Sequence, residues 1–475
     1  MQTRRERGQE ELFVAGPLYE LVPADHILRR IDTVVDFSWL HEEVRACYCE
    51  DNGRPSIDPE LALRLMLAGF LEGIVHDRAL MRRAQTDLAF RWFAGYRLDE
   101  SLPDHSSLTR IRQRWGAERF RRIFQRTVLD CVKAGLVRGD TVHIDATPIR
   151  ADVSWESLSR KHAEQVLEAN AAPKDDDDEP PARKVGRPRT KPRFAKKTSA
   201  TDPDASMATS RRDFHLEPTF KQHTAVDDHA GVIVDVAVQT GEANEGQQLI
   251  GQLDRIESNT GFEVHTVTAD KSYAHATNYA ALEGRSVQPV IPPQAIGVRQ
   301  PGTQRIPSCR FKYDEHHDCV TCPAGKRLTQ KTRTTKDNGY IFRARHTDCR
   351  NCPLRSRCLP PSARMRSILI LDGYAALLRA RRKHLRGWDD AMRGLYSRHR
   401  WLVEGAHGRA KTHHGLRRAV RRGLANVAIQ SYLTAAAMNL KKLAAHAAPR
   451  RIYTALQFLW KRIAAPNQPL LANAA

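Results

Sequence analysis

The sequence predicts an α/β core that is preceded by an all-helical N-terminal domain and interrupted by a cysteine-rich insertion. Apolar residues recur with a period near 3.6 from about residue 17 to 136. From Thr141 the pattern changes to β-branched runs between turn residues, with an intervening helix, which is the alternation of an α/β layer. Six of the nine cysteines, Cys309, Cys319, Cys322, Cys349, Cys352 and Cys358, crowd together before the chain returns to helix.

In the N-terminal part, Asp58-Pro59 reads as an N-cap followed by proline at the first helical position, with Leu61, Leu65, Ala68, Phe70 and Leu71 recurring behind it. Further helices are expected over Asp77 to Ala84, Ser106 to Trp115 and Glu118 to Lys133. Arg110, Arg112 and Arg114 crowd the Ser106 helix, which suits either a helix-turn-helix DNA reader or a bundle with a solvated basic face. Thr141 to Ile144 is a strand that ends at Asp145. Lys221 to Val226 and Val232 to Val238 form a hairpin around Asp227 to Gly231. A helix over Gln247 to Ile256 and a strand over Val264 to Thr268 then lead to Asp270. Ser397 to His413 and Leu424 to Leu443 are the closing helices, the second with Asn426, Ile429, Leu433, Ala437 and Leu440 on one stripe.

Charge narrows the partners. Lysine and arginine number 76 against 55 acidic residues, an excess of +21 over 475 residues, so polyanions are the natural ligands. No run of about 18 apolar residues is present, which excludes an ordinary membrane span. Met1 to Leu12 lacks the apolar stretch of a secretory signal, so a cytoplasmic, nucleoid-associated location is expected.

Two segments interrupt the α/β pattern. About 155 to 215 holds the acidic run Asp175 to Glu179 and then eight positive and no negative residues between Pro181 and Lys197, a charge-segregated loop expected to be disordered. Within it Gly186-Arg187-Pro188 resembles an AT-hook core, which makes Arg187 and Arg189 candidate DNA contacts, with a generic phosphate-binding linker as the alternative. About 293 to 385 carries the pairs Cys319-Val-Thr-Cys322 and Cys349-Arg-Asn-Cys352. Each CxxC can set two thiolates on one tetrahedral zinc, and Cys358, His316, His317 or His346 could replace one of the four; Cys322, Cys349, Cys352 and Cys358 are the candidate structural set, and reduced, partly buried thiols are the alternative. An all-thiolate site has no open position, so such an ion would not do chemistry.

Three acids stand out. Asp145 ends a strand, Asp270 follows another, and Glu404 is a lone acid in a basic stretch, since 14 basic residues lie between Arg379 and Arg422 against Asp389, Asp390 and Glu404. Oxygen ligands with open positions suit Mg²⁺ or Mn²⁺, and two such ions can serve an in-line phosphoryl displacement. Arg400 lies four residues before Glu404 and Lys411 seven after, on roughly one helical face, where they could bind phosphates.

The segments HIDATPIRAD (143 to 152), TADKSYAHATNY (268 to 279) and RHRWLVEGAHGRAKTHHGLRR (398 to 418) resemble the three acidic motifs of bacterial insertion-sequence DDE transposases. The resemblance implies an RNase H-like catalytic core, with Asp145, Asp270 and Glu404 as the catalytic triad and Arg400 and Lys411 as the Arg and Lys of a Y-R-E-K motif. One element departs: the tyrosine of that motif would fall at Ser397, while Tyr396 is displaced by one. The implied organisation is a helical, DNA-binding N-terminal domain over 1–136, the first part of the core over 137–292, the cysteine-rich insertion over 293–385, the second part with the Glu404 helix over 386–446, and a tail over 447–475.

The implied function is Mg²⁺-dependent transposition. The protein would bind the terminal inverted repeats of its element, cleave, and transfer the freed 3′-OH to target DNA, as a homodimer that brings two ends together. The competing readings are a transposase-derived DNA-binding protein without catalysis and a metal-dependent nuclease that cuts without joining. His143 and His275, which flank two of the acids, read as ordinary strand and loop histidines.

Overall fold

The computed structural model describes residues 16–49, 56–153, 158–159, 198–208, 217–294, 305–334 and 338–463. Arg187 and Arg189 of the AT-hook-like segment lie outside the described residues. The described chain is a mixed α/β structure with a helical N-terminal region.

That region comprises α1 (Ile27–Asp32), α2 (Leu40–Val44), α3 (Pro59–Leu71), α4 (Asp77–Thr86), α5 (Leu88–Phe93) and α6 (His105–Lys133). The Asp58 carboxylate accepts the backbone N–H groups of Glu60 and Leu61, so α3 begins at the expected cap. The two helices expected over 106 to 133 are one element kinked at Gly116, whose φ of 71° and ψ of 166° only glycine adopts without strain. Arg112 is not part of a basic face: it is 2% exposed and paired with Asp77.

The main sheet has eight strands among the described residues, and three short ones, Leu158–Ser159, Thr198–Ser199 and Ser206–Ala208, come from the stretch expected to be a disordered loop and pair onto its edge; the other five are β1 (Thr141–Arg150), β2 (Glu217–Asp227), β3 (Ile233–Thr240), β4 (Thr266–Ala269) and β5 (Gln288–Val290). β2 pairs antiparallel with β1 on one side and with β3 on the other, while β4 runs parallel to β1 and β5 parallel to β4. The spatial order is therefore β3-β2-β1-β4-β5. The hairpin is longer at its open end than its hydrophobic run suggested, and the Asp227 carboxylate fixes its turn by accepting the N–H groups of Gly139 and His229. Two crossover helices, α7 (Leu249–Thr260) and α8 (Ala276–Gly284), accompany the parallel strands.

The cysteine-bearing segment folds as two three-stranded sheets, one from Lys312–Asp314, Cys319–Thr321 and Arg327–Leu328, the other from Gln330–Thr334, Gly339–Arg343 and Ser367–Leu371. A small apolar core of Phe311, Val320, Leu328, Phe342, Ile368 and Ile370 joins them. The chain then re-enters helix as α9 (Tyr374–Arg386), α10 (Asp390–His399), a π-helical turn at Arg400–Glu404, α11 (Gly405–His413) and α12 (Leu424–Ile463).

α12 is longer than its apolar stripe predicts and runs through the stretch read as the start of a tail. It is also buried on more than one side. Ile429, Leu433, Ala437 and Leu440 pack into the helical N-terminal core, while Val427, Ala435, Met438 and Leu443 pack into the core around the sheet. Asn426, placed on that stripe by the sequence, instead donates its side-chain amide to the Arg422 carbonyl. Asn439 bonds both the N–H and the C=O of Ile233, at 3.0 and 2.8 Å, where the β2–β3 register shifts. A buried amide there satisfies backbone groups that the irregular ladder leaves open.

Candidate active site

The parallel register decides where two of the acids lie. His143 stands opposite Thr268 and Ile144 opposite Ala269, so Asp145 and Asp270 follow side by side at the end of the β1–β4 ladder. β4 stops there because Asp270 caps a short 3-10 turn, its Oδ1 accepting the Ser272 N–H at 2.8 Å. Glu404 comes from the π-helical turn, which anchors Leu402 and Val403 in the core while Glu404 stays exposed.

The electrostatics register this approach. Burial pushes the Asp145 carboxyl up to about 7, and the charges of Asp270, Glu245 and Glu404 add to the shift, against a hydrogen bond from the Ala146 N–H. Four carboxyl groups therefore share one region, one more than the three that stand out in the sequence. Glu245 sits in the turn before α7; it accepts a short hydrogen bond from the Ser272 hydroxyl, which also reaches Asp270 Oδ1 at 2.5 Å, and it pairs with Lys221 at 2.9 Å. Nothing in the sequence singles it out, because an acid at the start of a helix is the ordinary complement to the helix dipole.

Cations surround the group unequally. Arg400 Nε lies 3.9 Å from Glu404 Oε1, with both side chains exposed, so this pair contributes little to stability and leaves the guanidinium free to turn outward. Lys411 is half-buried, and its ammonium is pushed down by burial and by Arg417 while Asp145 opposes the shift. His407 is buried against Asp145, with Nδ1 3.7 Å from Oδ2, and burial, with Lys411, His399 and His223 nearby, pushes it down to about 3. Tyr396 also belongs here: burial raises its phenol, and Asp270, Asp145 and Glu404 raise it further. A π-turn holds one residue more than an α-turn. The turn between Tyr396 and Glu404 therefore shifts the helical face in the sense that compensates a one-residue displacement of the tyrosine.

The four acids suit a hard divalent cation. A carboxyl raised by burial and further by neighbouring carboxylates is an oxygen donor lacking its counter-charge, and Mg²⁺ or Mn²⁺ would supply it. Among the described residues, however, no three His, Cys, Asp or Glu side chains are already gathered around a single point as ligands. A bound ion would have to draw these side chains together.

The cysteines separate into two environments. Cys322, Cys349, Cys352 and Cys358 line one cavity of about 30 Å³. The Lys326 N–H donates to Cys322 Sγ at 3.3 Å, and burial raises the Cys358 thiol, with Cys349, Cys352 and Cys322 adding to it and Arg366 opposing. Cys319, the first member of its CxxC pair, is buried in a strand and does not line that cavity, and neither do His316, His317 and His346.

Comparison with known proteins bears directly on this arrangement. Residues 16–114 match a transposase domain (DUF772), and residues 321–444, which include Glu404, match a transposase DDE domain. Both matches are to transposase families, and they cover separate parts of the chain. No curated protein is similar enough to this chain to count as a match. Solved structures it resembles weakly include a piggyBac transposase synaptic complex with hairpin DNA, at 13% identity and a TM-score of 0.29 over 95% of this chain and 82% of that one. A Mos1 transposase paired-end complex with the left transposon end gives 12% and 0.17 over 52% and 62%. A Mos1 mariner paired-end complex with Mn gives 12% and 0.16 over 78% and 86%. No helix among the described residues is long and apolar enough to cross a membrane.

Proposed function

We propose that this protein is a transposase that binds the terminal inverted repeats of its own element, hydrolyses a phosphodiester to free a 3′-OH, and joins that end to target DNA. Asp145, Asp270 and Glu404 would hold the divalent cations, Mg²⁺ or Mn²⁺. When bound, such ions activate an attacking oxygen and stabilise a leaving one. Arg400 and Lys411 would bind the phosphates beside them, and the basic residues exposed on and around α9 and α11, including Arg382, Lys383, Arg386 and Arg409, would follow the DNA backbone. Two ends must meet, so the working form is a homodimer.

The reading is carried by one observation: the parallel β1–β4 register sets Asp145 beside Asp270, where burial, with the charges of Asp270, Glu245 and Glu404 adding to it, pushes the Asp145 carboxyl up to about 7. The strand order β3-β2-β1-β4-β5, antiparallel on one side of β1 and parallel on the other, supports an RNase H-like core. The test is purified protein on labelled element ends with Mg²⁺, beside Asp145→Ala. The expected outcome is joined product from the wild type, and end binding without cleavage from the variant. Cutting without joining would instead mark a nuclease, and binding alone would mark a transposase-derived DNA-binding protein.

We also propose a structural zinc held by Cys322, Cys349, Cys352 and Cys358. Support comes from their shared cavity, too small for more than about one water-sized occupant, and from the backbone N–H already directed at Cys322 Sγ.

A further inference from the structure

The strands and helix that carry the three acids are tied together by side chains lying a few residues upstream of each acid. His143, two residues before Asp145, meets Thr268, two residues before Asp270, through Nδ1 and Oγ1 at 2.7 Å. The same Thr268 hydroxyl meets Nδ1 of His399, five residues before Glu404, at 2.9 Å. All three side chains are buried. The far nitrogen of His143, Nε2, lies 2.8 Å from Asp228 Oδ1, and Arg398 holds the other oxygen of that carboxylate.

The donors and acceptors have one consistent order. The Asp228 carboxylate, bound by Arg398, accepts from His143, so in a neutral His143 ring the hydrogen is on Nε2 and Nδ1 is an acceptor. Thr268 must then donate to His143, and its remaining lone pairs accept from His399 Nδ1–H. A hydroxyl is the one small group that can donate and accept at the same atom, so threonine or serine fits and valine does not. The His399 ring in turn stacks on Tyr396, with centroids 5.8 Å apart and planes 4° from parallel. β1, β4 and the helix entering the π-turn are thereby locked in mutual register beneath the acids.

We infer that Thr268 is the central positioning residue of this transposase, joining His143 to His399 so that Asp145, Asp270 and Glu404 are held ready for their cations. The inference rests on the metal-binding reading above, and the experiment separates the two. ¹⁵N-histidine NMR of the full-length protein without metal reads the tautomers, with His143→Asn and His399→Asn assigning the signals. The expected pattern is hydrogen on Nε2 of His143 and on Nδ1 of His399. The opposite pattern on either ring overturns the chain whether or not metal binds.

Mn²⁺ binding, followed by the electron paramagnetic resonance of the free ion, supplies the second arm. Thr268→Val should raise the half-saturating Mn²⁺ concentration about 10- to 100-fold, as loss of a partner behind a metal ligand does, while metal-free binding to end DNA stays within about twofold. Thr268→Ser should restore Mn²⁺ binding to within about threefold, since it keeps the hydroxyl. A folded Thr268→Val with wild-type Mn²⁺ binding, or a Thr268→Ser as impaired as Thr268→Val, overturns the inference. Should Thr268→Val not fold, His399→Asn, which keeps a donor near Nδ1, must bind Mn²⁺ more tightly than His399→Leu, and equality between them refutes the tie. A wild-type protein that binds no Mn²⁺ would refute the metal-binding reading and, with it, the purpose assigned to the tie.

Discussion

Asp77→Asn offers a demanding test of how the helical region is joined to the rest. The Asp77 carboxylate, 8% exposed, receives both terminal nitrogens of Arg112 at 2.7 Å, Arg421 Nη2 at 2.6 Å and the Thr109 hydroxyl at 3.1 Å. Burial alone would raise this carboxyl; the two guanidiniums overcome that and hold it below its ordinary value. Asparagine keeps the shape and removes the charge, leaving two guanidiniums, one of them 2% exposed, without a counter-ion. Breaking a buried pair in this way costs about 3–5 kcal/mol, a large part of the roughly 5–15 kcal/mol that holds a domain folded. Because Arg421 lies in the loop between α11 and α12, the loss should fall on the contact between the helical layer and the elements following Glu404. Denaturant unfolding followed by tryptophan fluorescence and circular dichroism would measure it. Adding Arg112→Met to Asp77→Asn removes one stranded charge and should recover part of the loss. The reasoning fails if Asp77→Asn costs under about 1 kcal/mol, or if the double variant is no more stable than the single one.

Other consequences are as direct. Burial pushes His414, whose Nδ1 bonds the Phe70 carbonyl at 2.7 Å, down to about 4, with Lys441, His413 and Arg409 adding to it against that hydrogen bond. Its folded value lies below the unfolded 6.5, so its contribution is intact above that pH and is lost as pH falls from 6.5 toward 4. The loss should approach about 1.4 kcal/mol per pH unit, and His414→Gln should flatten the measured slope by about one proton. Cys349→Ser should reduce bound zinc, measured by elemental analysis, from about one ion per chain to none and lower the melting temperature; a zinc-free wild type would refute the site. Gly116→Ala meets no atom within 4 Å of the added carbon, so only backbone strain opposes it. It should cost about 1–3 kcal/mol, and a stabilised variant would show that the kink is not needed.

Local chemistry made much of this protein readable from its sequence. The Asp58-Pro59 start of α3, the Asp227 to Gly231 turn and the end of β4 at Asp270 depend on neighbours a few residues away, where capping and periodicity act, whereas β1, expected to end at Asp145, runs on to Arg150 because it stays paired with β2. The acids could be nominated because their motifs are contiguous. Glu245 could not: its significance is a hydrogen bond to Ser272 and proximity to Asp145, both made across the fold.

The sequence alone determined the helical and strand periods, the excess of positive charge and the residues able to hold a divalent cation. Tertiary structure decided which of those residues meet. Parallel pairing of β1 with β4 sets Asp145 beside Asp270, and the π-turn brings Glu404 and Tyr396 to them. It also turned Arg112 from an apparent surface cation into the buried partner of Asp77 and made α12 the support shared by two cores. The physical reason is range: caps and hydrophobic periods act within a turn or two of chain, whereas a carboxylate's charge state and an arginine's partner depend on groups hundreds of residues away in sequence and a few ångströms away in space.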